Sequence, residues 1–169
     1  LPASGFYIEG IENIQLQDFT YANEFHLTVK HLAVAKLNDK GVELRSHPVM
    51  LSKNSSLAGL KGVRNGIQFN TNLLGEFHVA GHGAGRESTA SGLISDIFAL
   101  SRSNGSSPMR YPDFSKKPDL LNFDDLIFKY YVYLEVKDEP GVLALISKVF
   151  ADQGISFDKV IQKDQLDNG

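Results

Sequence analysis

Apolar positions along this chain change period several times, and each change marks an element. Over residues 16–25, LQDFTYANEF, the residues Leu16, Phe19 and Tyr21/Ala22 give one apolar side at helical spacing. Asp18 suits the first turn, so a short helix with one buried side is predicted. VKHLAVAKL at 29–37 has a continuous apolar centre, as expected of a well-covered strand. Asn38-Asp39-Lys40-Gly41 is a turn signal. In VELRSHPVM at 42–50, Val42 and Leu44 alternate with Glu43 and Arg45, so the two runs read as a β-hairpin. Pro48 lacks an amide donor and belongs on an edge or at the end of its strand.

Residues 52–61 read as one helical turn, capped by Ser52 or Asn54 and ended near Gly59 or Gly62. Gly66–Asn70 and Gly75–Ala80 read as two further strands joined by a turn containing Asn70 and Asn72. A glycine-rich turn follows (Gly81, Gly83, Gly85), then a hydroxyl-capped helix from about Thr89 to Ser101. Ala90, Leu93, Ile97 and Leu100 fall on one face of it. Residues 1–101 are therefore expected to be an α+β unit: a mixed, largely antiparallel sheet with helices on one face.

At Ser101 the pattern breaks. SRSNGSSPMRYPDFSKKPD is rich in serine and proline and carries Lys116-Lys117; it cannot bury enough apolar surface to fold alone. Residues 102–129 read as a linker, with LLNFDDLIF (120–128) able to dock onto a neighbour. From Tyr130 a second module begins, 130–169. Val132, Leu134 and Val136 alternate with Tyr131, Tyr133 and Glu135 in a strand. Asp138-Glu139-Pro140-Gly141 turns the chain. Val142, Leu145, Ile146, Val149 and Phe150 make a helical stripe, Gly154 is a good residue to end it, and ISFDKVIQK (155–163) reads as another strand.

Composition narrows the function classes. Across 169 residues the formal charge is −3 and the pI about 5.9, which argues against nucleic acid as the main partner. There is no run of 18 apolar residues to span a membrane and no signal-peptide pattern in LPASGFYIEG. The lack of cysteine excludes disulfides, thiolate metal sites and a cysteine nucleophile. A cytoplasmic protein is expected.

Two places carry candidate chemistry. In GHGAGR the glycines let a ligand approach the backbone, and the helix N-terminus behind them favours an anion. The GxGxxG fingerprint is incomplete, because Arg86 holds the third glycine's place, and GKS/T is missing. A ligand site and a plain tight turn both fit. At Asp138-Glu139-Pro140-Gly141-Val142-Leu143, a strand-end carboxylate precedes a helix N-terminus, which suits a zwitterionic amino acid; a plain connection is the reading these residues favour by themselves. His82, Ser88 and Asp96 lack the GxSxG setting of a triad. His26, His31, His47, His78 and His82 lack metal-ligand spacing. Glu9, Glu12, Asp18 and Glu24 read as solvated carboxylates.

Three stretches, in order, resemble homoserine dehydrogenases. YIEGIENIQLQDFTYANEFHLTVKHLAVAK is similar to the segment following that family's catalytic core; VELRSHPVMLSKNSSLAGLKGVRNGIQF resembles its ELR.HP…GV.NAI stretch; and GHGAG with STASGLISDI resembles its GPGAG…TAS..VSDI signature. YYVYLEVKDEPGVLALISKVFADQGIS resembles the opening of an ACT domain, a ferredoxin-like amino-acid-sensing module. The resemblance implies an enzyme that interconverts L-homoserine and L-aspartate 4-semialdehyde with NAD or NADP, in threonine and methionine biosynthesis, and that forms a homo-oligomer. It implies that Gly81, Gly83 and Gly85 border the cofactor, with His82 in place of the usual proline. It implies that Asp138, Pro140, Gly141, Val142 and Leu143 meet an effector such as threonine. The family's catalytic lysine, aspartate and glutamate would precede residue 1, so no catalytic residue is assigned here; Lys30 and Lys36 match none of them. The module at 130–169 would be a partial ACT βαβ. Its two strands would normally be separated by a third.

Overall fold

The computed structural model describes residues 6–103 and 118–163. The chain divides into two compact units, Leu1–Phe128 and Lys129–Gly169. Most of the serine- and proline-rich segment, including Lys116-Lys117, lies outside the described residues.

The first unit is built on the expected hairpin. Strands β2 (Leu27–Asn38) and β3 (Gly41–Ser52) pair antiparallel from Leu27↔Ser52 to Asn38↔Gly41. At the turn Asn38 Oδ1 accepts the Lys40 N–H at 2.9 Å, and Gly41 takes φ +148°, a conformation open to glycine alone without strain. A short strand that the pattern did not announce, β1 (Tyr7–Ile8), adds parallel to β3 at Arg45 and Ser46, giving the order β1-β3-β2. Pro48 lies within β3 opposite His31, on the stretch that β1 leaves uncovered and so on an edge.

Helix α1 (Leu16–Glu24) forms where its spacing predicts, with Asp18 Oδ2 accepting the Gln15 N–H at 2.8 Å. Its buried side is narrower than expected: Ala22 is 1% exposed, whereas Leu16 is 84% exposed. His26 closes the helix at φ +58°, a place usually held by glycine or asparagine, and its carbonyl accepts the Lys53 N–H at 3.2 Å.

The expected helical turn at 52–61 is a run of β-turns instead. Ser52 ends β3, and the N–H groups of Ser55, Ala58 and Leu60 each bond the carbonyl three residues back. Serine and asparagine hydroxyls and amides compete with helical bonding, and Gly59 weakens propagation. This segment also separates the strands into two sheets rather than one. β4 (Arg64–Thr71) and β5 (Gly75–His82) form their own antiparallel hairpin. Asn70 belongs to β4, so the turn is residues 72–74.

Helix α2 (Arg86–Arg102) begins three residues before Thr89, with Gly85 as its uncapped N-terminal residue. The predicted hydroxyl cap is not made: Ser88 Oγ donates to the Ala84 and Gly85 carbonyls at 3.2 and 3.0 Å. The apolar stripe does not bury either. Every residue of α2 is exposed, including Leu93, Ile97 and Leu100, so it covers no sheet face among the described residues.

Residues 118–128 strap the hairpin. The Val42 N–H donates to Asp119 O at 2.8 Å and Val42 O accepts Leu121 N–H at 2.9 Å. Phe123, in a single 3-10 turn (Phe123–Asp125), stacks on Tyr7 with centroids 3.8 Å apart. Phe128 lies under the Arg45 guanidinium at 4.7 Å. Beneath this strap Glu43 is 5% exposed, its Oε1 accepting from Arg45 Nε at 2.6 Å, while Arg45 Nη1 lies 2.6 Å from His47 Nε2.

In the second unit the described regular element is helix α3 (Val142–Asp152). Gly141 precedes it at φ +96°. Gly154, at φ +71°, ends it: the Gly154 N–H bonds Ala151 O and the Ile155 N–H bonds Phe150 O, both at 2.9 Å. Phe150 meets Phe157 at 4.9 Å. The strands expected at 130–138 and 155–163 form no ladder among the described residues. Alternating side chains favour an extended chain, but a ladder also needs an adjacent strand, and the resemblance itself places a third strand between these two.

Two outcomes follow. Glu43→Ala removes the partner of a largely buried Arg45, so the first unit should lose about 3 kcal/mol; an unchanged urea midpoint would count against the pair. Asp158 is exposed and its pKa is lowered by a hydrogen bond from Lys129, then by that lysine's charge. A lowered acid pKa stabilises above the unfolded value and is lost as pH falls through the folded one. The Asp158 carboxyl should titrate below the ordinary range by NMR and return toward it in Lys129→Met.

Candidate functional site

The glycine loop is set by the β4–β5 register, which places Asn65 opposite Gly81 and Arg64 opposite His82. The three glycines are there for different reasons. Gly81 lies inside β5, with no positive φ, and a Cβ on it would touch nothing within 4 Å. Neither backbone conformation nor packing among the described residues requires glycine there. Gly83 donates its N–H to Val63 O at 2.9 Å, and the Asn65 carboxamide occupies the place where its Cβ would stand. Gly85 takes φ +127°, which a side chain rarely tolerates.

Together these residues make a notch. Gly81 leaves an open floor, and Asn65, lying over Gly83, makes a polar wall. Behind it α2 begins with no side-chain cap, so the N–H groups of its first turn have no acceptor within the helix. Glu87 stands in that turn, and its charge is met by Arg86 at 3.1 Å on the exposed surface. The turn segment holds β4 in place from the other side. Leu57 and Leu60 sit over Gly66, next to Asn65, and Lys30 Nζ donates to the Leu60 carbonyl.

In the second unit, Asp138, Pro140, Gly141 and Leu143 are exposed and Val142 is half-buried. The Val142 N–H donates to Glu139 O at 3.2 Å, and no side chain caps α3.

The structure does not bring the other candidates together. Ser88 commits its hydroxyl to two carbonyls of its own turn. Asp18 caps α1, and Glu9 Oε2 accepts the Tyr7 hydroxyl at 2.7 Å. His31 Nε2 lies 2.9 Å from Glu9 O, and His47 Nδ1 is 2.8 Å from Pro48 O. Among the described residues no three His, Asp or Glu side chains gather as a metal site, and no helix is long and apolar enough to cross a membrane. Sequence reasoning missed Asn65 and the Glu43–Arg45–His47 row on β3. The row was visible as alternate polar residues in VELRSHP, but its cover comes from residues 123 and 128. Asn65 becomes distinctive once hairpin register sets it against Gly81.

Comparison with known proteins places these features in one family. The family model described as homoserine dehydrogenase matches residues 1–98. The homoserine dehydrogenase of Helicobacter pylori is 38% identical over 159 residues, covering 94% of this chain and 38% of that protein. That of Neisseria gonorrhoeae is 33% identical over 171 residues, covering 97% and 39%. Among solved structures, a homoserine dehydrogenase from Thiobacillus denitrificans superposes with a TM-score of 0.69 at 28% identity, over 94% of this chain and 38% of that one. The chain thus spans about two fifths of the length of the curated relatives it matches. The protein chain, with its glycine loop inside the matched span, belongs to the homoserine dehydrogenase family.

Proposed function

We propose that this chain is part of an NAD(P)-dependent homoserine dehydrogenase, a cytoplasmic homo-oligomeric enzyme that interconverts L-homoserine and L-aspartate 4-semialdehyde, and that Gly81, Gly83 and Gly85 line one wall of its nicotinamide site. The observation that carries the site is Gly81. It is a glycine inside a strand with open space where a side chain would project and no need for a glycine backbone; such positions suit a close approach by a ligand. The open space over Gly81 supports the assignment of a nicotinamide there.

When bound, the reduced nicotinamide would supply the hydride for the aldehyde carbon. This chain's residues contribute position: Gly81 leaves room, Gly83 keeps the turn close under Asn65, and Gly85 sets the direction of α2. Positioning of this kind carries much of the rate in cofactor enzymes. Lys30, tied to Leu60, and Lys36, exposed on β2, are given no part in proton transfer. The exposed apolar side chains of β4, β5 and α2, among them Ile67, Val79, Ile97 and Phe98, support cover by a further body of protein.

The 169-residue chain by itself should show no NADH or NADPH oxidation with aspartate semialdehyde; measurable turnover would sink this reading. In the complete enzyme, Gly83→Val must push Asn65 aside, and should lower kcat or raise the cofactor KM about tenfold, roughly 1.4 kcal/mol. Unchanged kinetics would reduce the loop to a turn.

A second reading concerns the other unit: an amino-acid effector such as threonine held by Asp138, Pro140, Gly141, Val142 and Leu143. The uncapped start of α3 beside Asp138 supports it, offering donors to a carboxylate and an acceptor to an ammonium. Calorimetric titration of the chain with threonine should give binding that Asp138→Asn weakens; equal affinity in the variant would remove Asp138 from the site.

A further inference from the structure

We propose that Asn65 is the residue that recognises the carboxamide of the nicotinamide ring, and so selects the cofactor's reactive end at the glycine notch. This rests on the nicotinamide reading of the loop and goes beyond it, because it assigns the recognition to a side chain on a different strand. Asn65 stands opposite Gly81 in the β4–β5 ladder, so the two residues face the same side of the hairpin. Gly81 presents no side chain there, and the space above it is open. Asn65 leans over Gly83, whose missing Cβ gives the carboxamide its place.

The side chain has chemistry to offer. Asn65 is exposed, and its carboxamide makes no hydrogen bond among the described residues. Some other side-chain amides of the chain are engaged: Asn38 Oδ1 accepts from Lys40, Asn23 Oδ1 from Lys53, and Gln68 Oε1 from Ser56. A carboxamide carries one acceptor oxygen and a donor NH₂. The ring substituent of nicotinamide is also a carboxamide, so two such groups pair donor to acceptor in both directions. The open space over Gly81 leaves room for the ring beside that pair.

The test uses the complete enzyme and equilibrium binding, read by calorimetry. The probes are NAD, NADP and their 3-acetylpyridine analogues, in which a methyl group replaces the carboxamide NH₂. The wild type should bind the natural cofactor it uses about tenfold more tightly than the matching analogue, the effect of one hydrogen bond. Asn65→Leu, close in size but without polar atoms, should bring that ratio to within twofold of unity. Asn65→Asp keeps the acceptor for the ring NH₂ and should retain the preference. Thermal melts of both variants establish that they fold, and Asn65→Asp alone suffices should the leucine variant fail: loss of its preference would overturn the proposal. A ratio in Asn65→Leu equal to the wild type's would do the same while leaving the nicotinamide site standing. Failure of the wild type to bind either cofactor would overturn the site and this role together.

Discussion

The register of the β2–β3 hairpin is the constraint from which the first unit hangs. It runs unbroken from Leu27↔Ser52 to Asn38↔Gly41. A shift of one residue would exchange the two faces of both strands. Glu43, Arg45 and His47 share a face because they alternate on β3, and only in this register does that face lie beneath Phe123 and Phe128. β1 joins at Arg45 and Ser46, the strap joins at Val42, and Lys30 reaches Leu60 from β2. Two residues secure the register at its closed end: Asn38, whose side chain completes the turn, and Gly41, whose φ few other residues could adopt.

Gly41 answers to a second demand as well. A Cβ there would run into the carbonyl of Asp119, so the residue that closes the hairpin also admits the strap. This position therefore joins a local requirement to one that arises far along the chain. The strap in turn lays aromatic rings over a charged row. Phe128 lies against Arg45, and Tyr7 and Phe123 lie against His47; the value of the Glu43–Arg45 pair depends on both partners being present.

How much of this was legible in the sequence depended on the range of the signal. The hairpins and the end of α3 were readable because alternation, turn residues and a terminal glycine act within a few positions. The two-residue β1 carries no period, and its existence depends on β3, almost forty residues away. The stripe on α2 was read correctly as a helical face, yet amphipathicity says only that a face would gain from cover, not that this chain supplies it. The tyrosine- and valine-rich stretches of the second unit show the same limit for strands. At the glycine loop, sequence identified three glycines as one motif. Structure separates them into a space at Gly81, a close contact at Gly83 and a backbone angle at Gly85, and brings in Asn65 through ladder register.

The strap has a consequence for the birth of the molecule on the ribosome. Val42 and Leu121 lie roughly 80 residues apart, and at roughly 5–20 residues per second the hairpin waits about 4–16 s for its cover. Local hairpins close in microseconds, so β3 spends that interval with the backbone groups of Val42 unpaired and without the ring of Phe123 stacked on Tyr7. An open strand edge is a template for a neighbouring chain. Until the strap arrives, Glu43 and Arg45 stand on an uncovered face of β3, and charged side chains are harder to bury by accident than apolar ones.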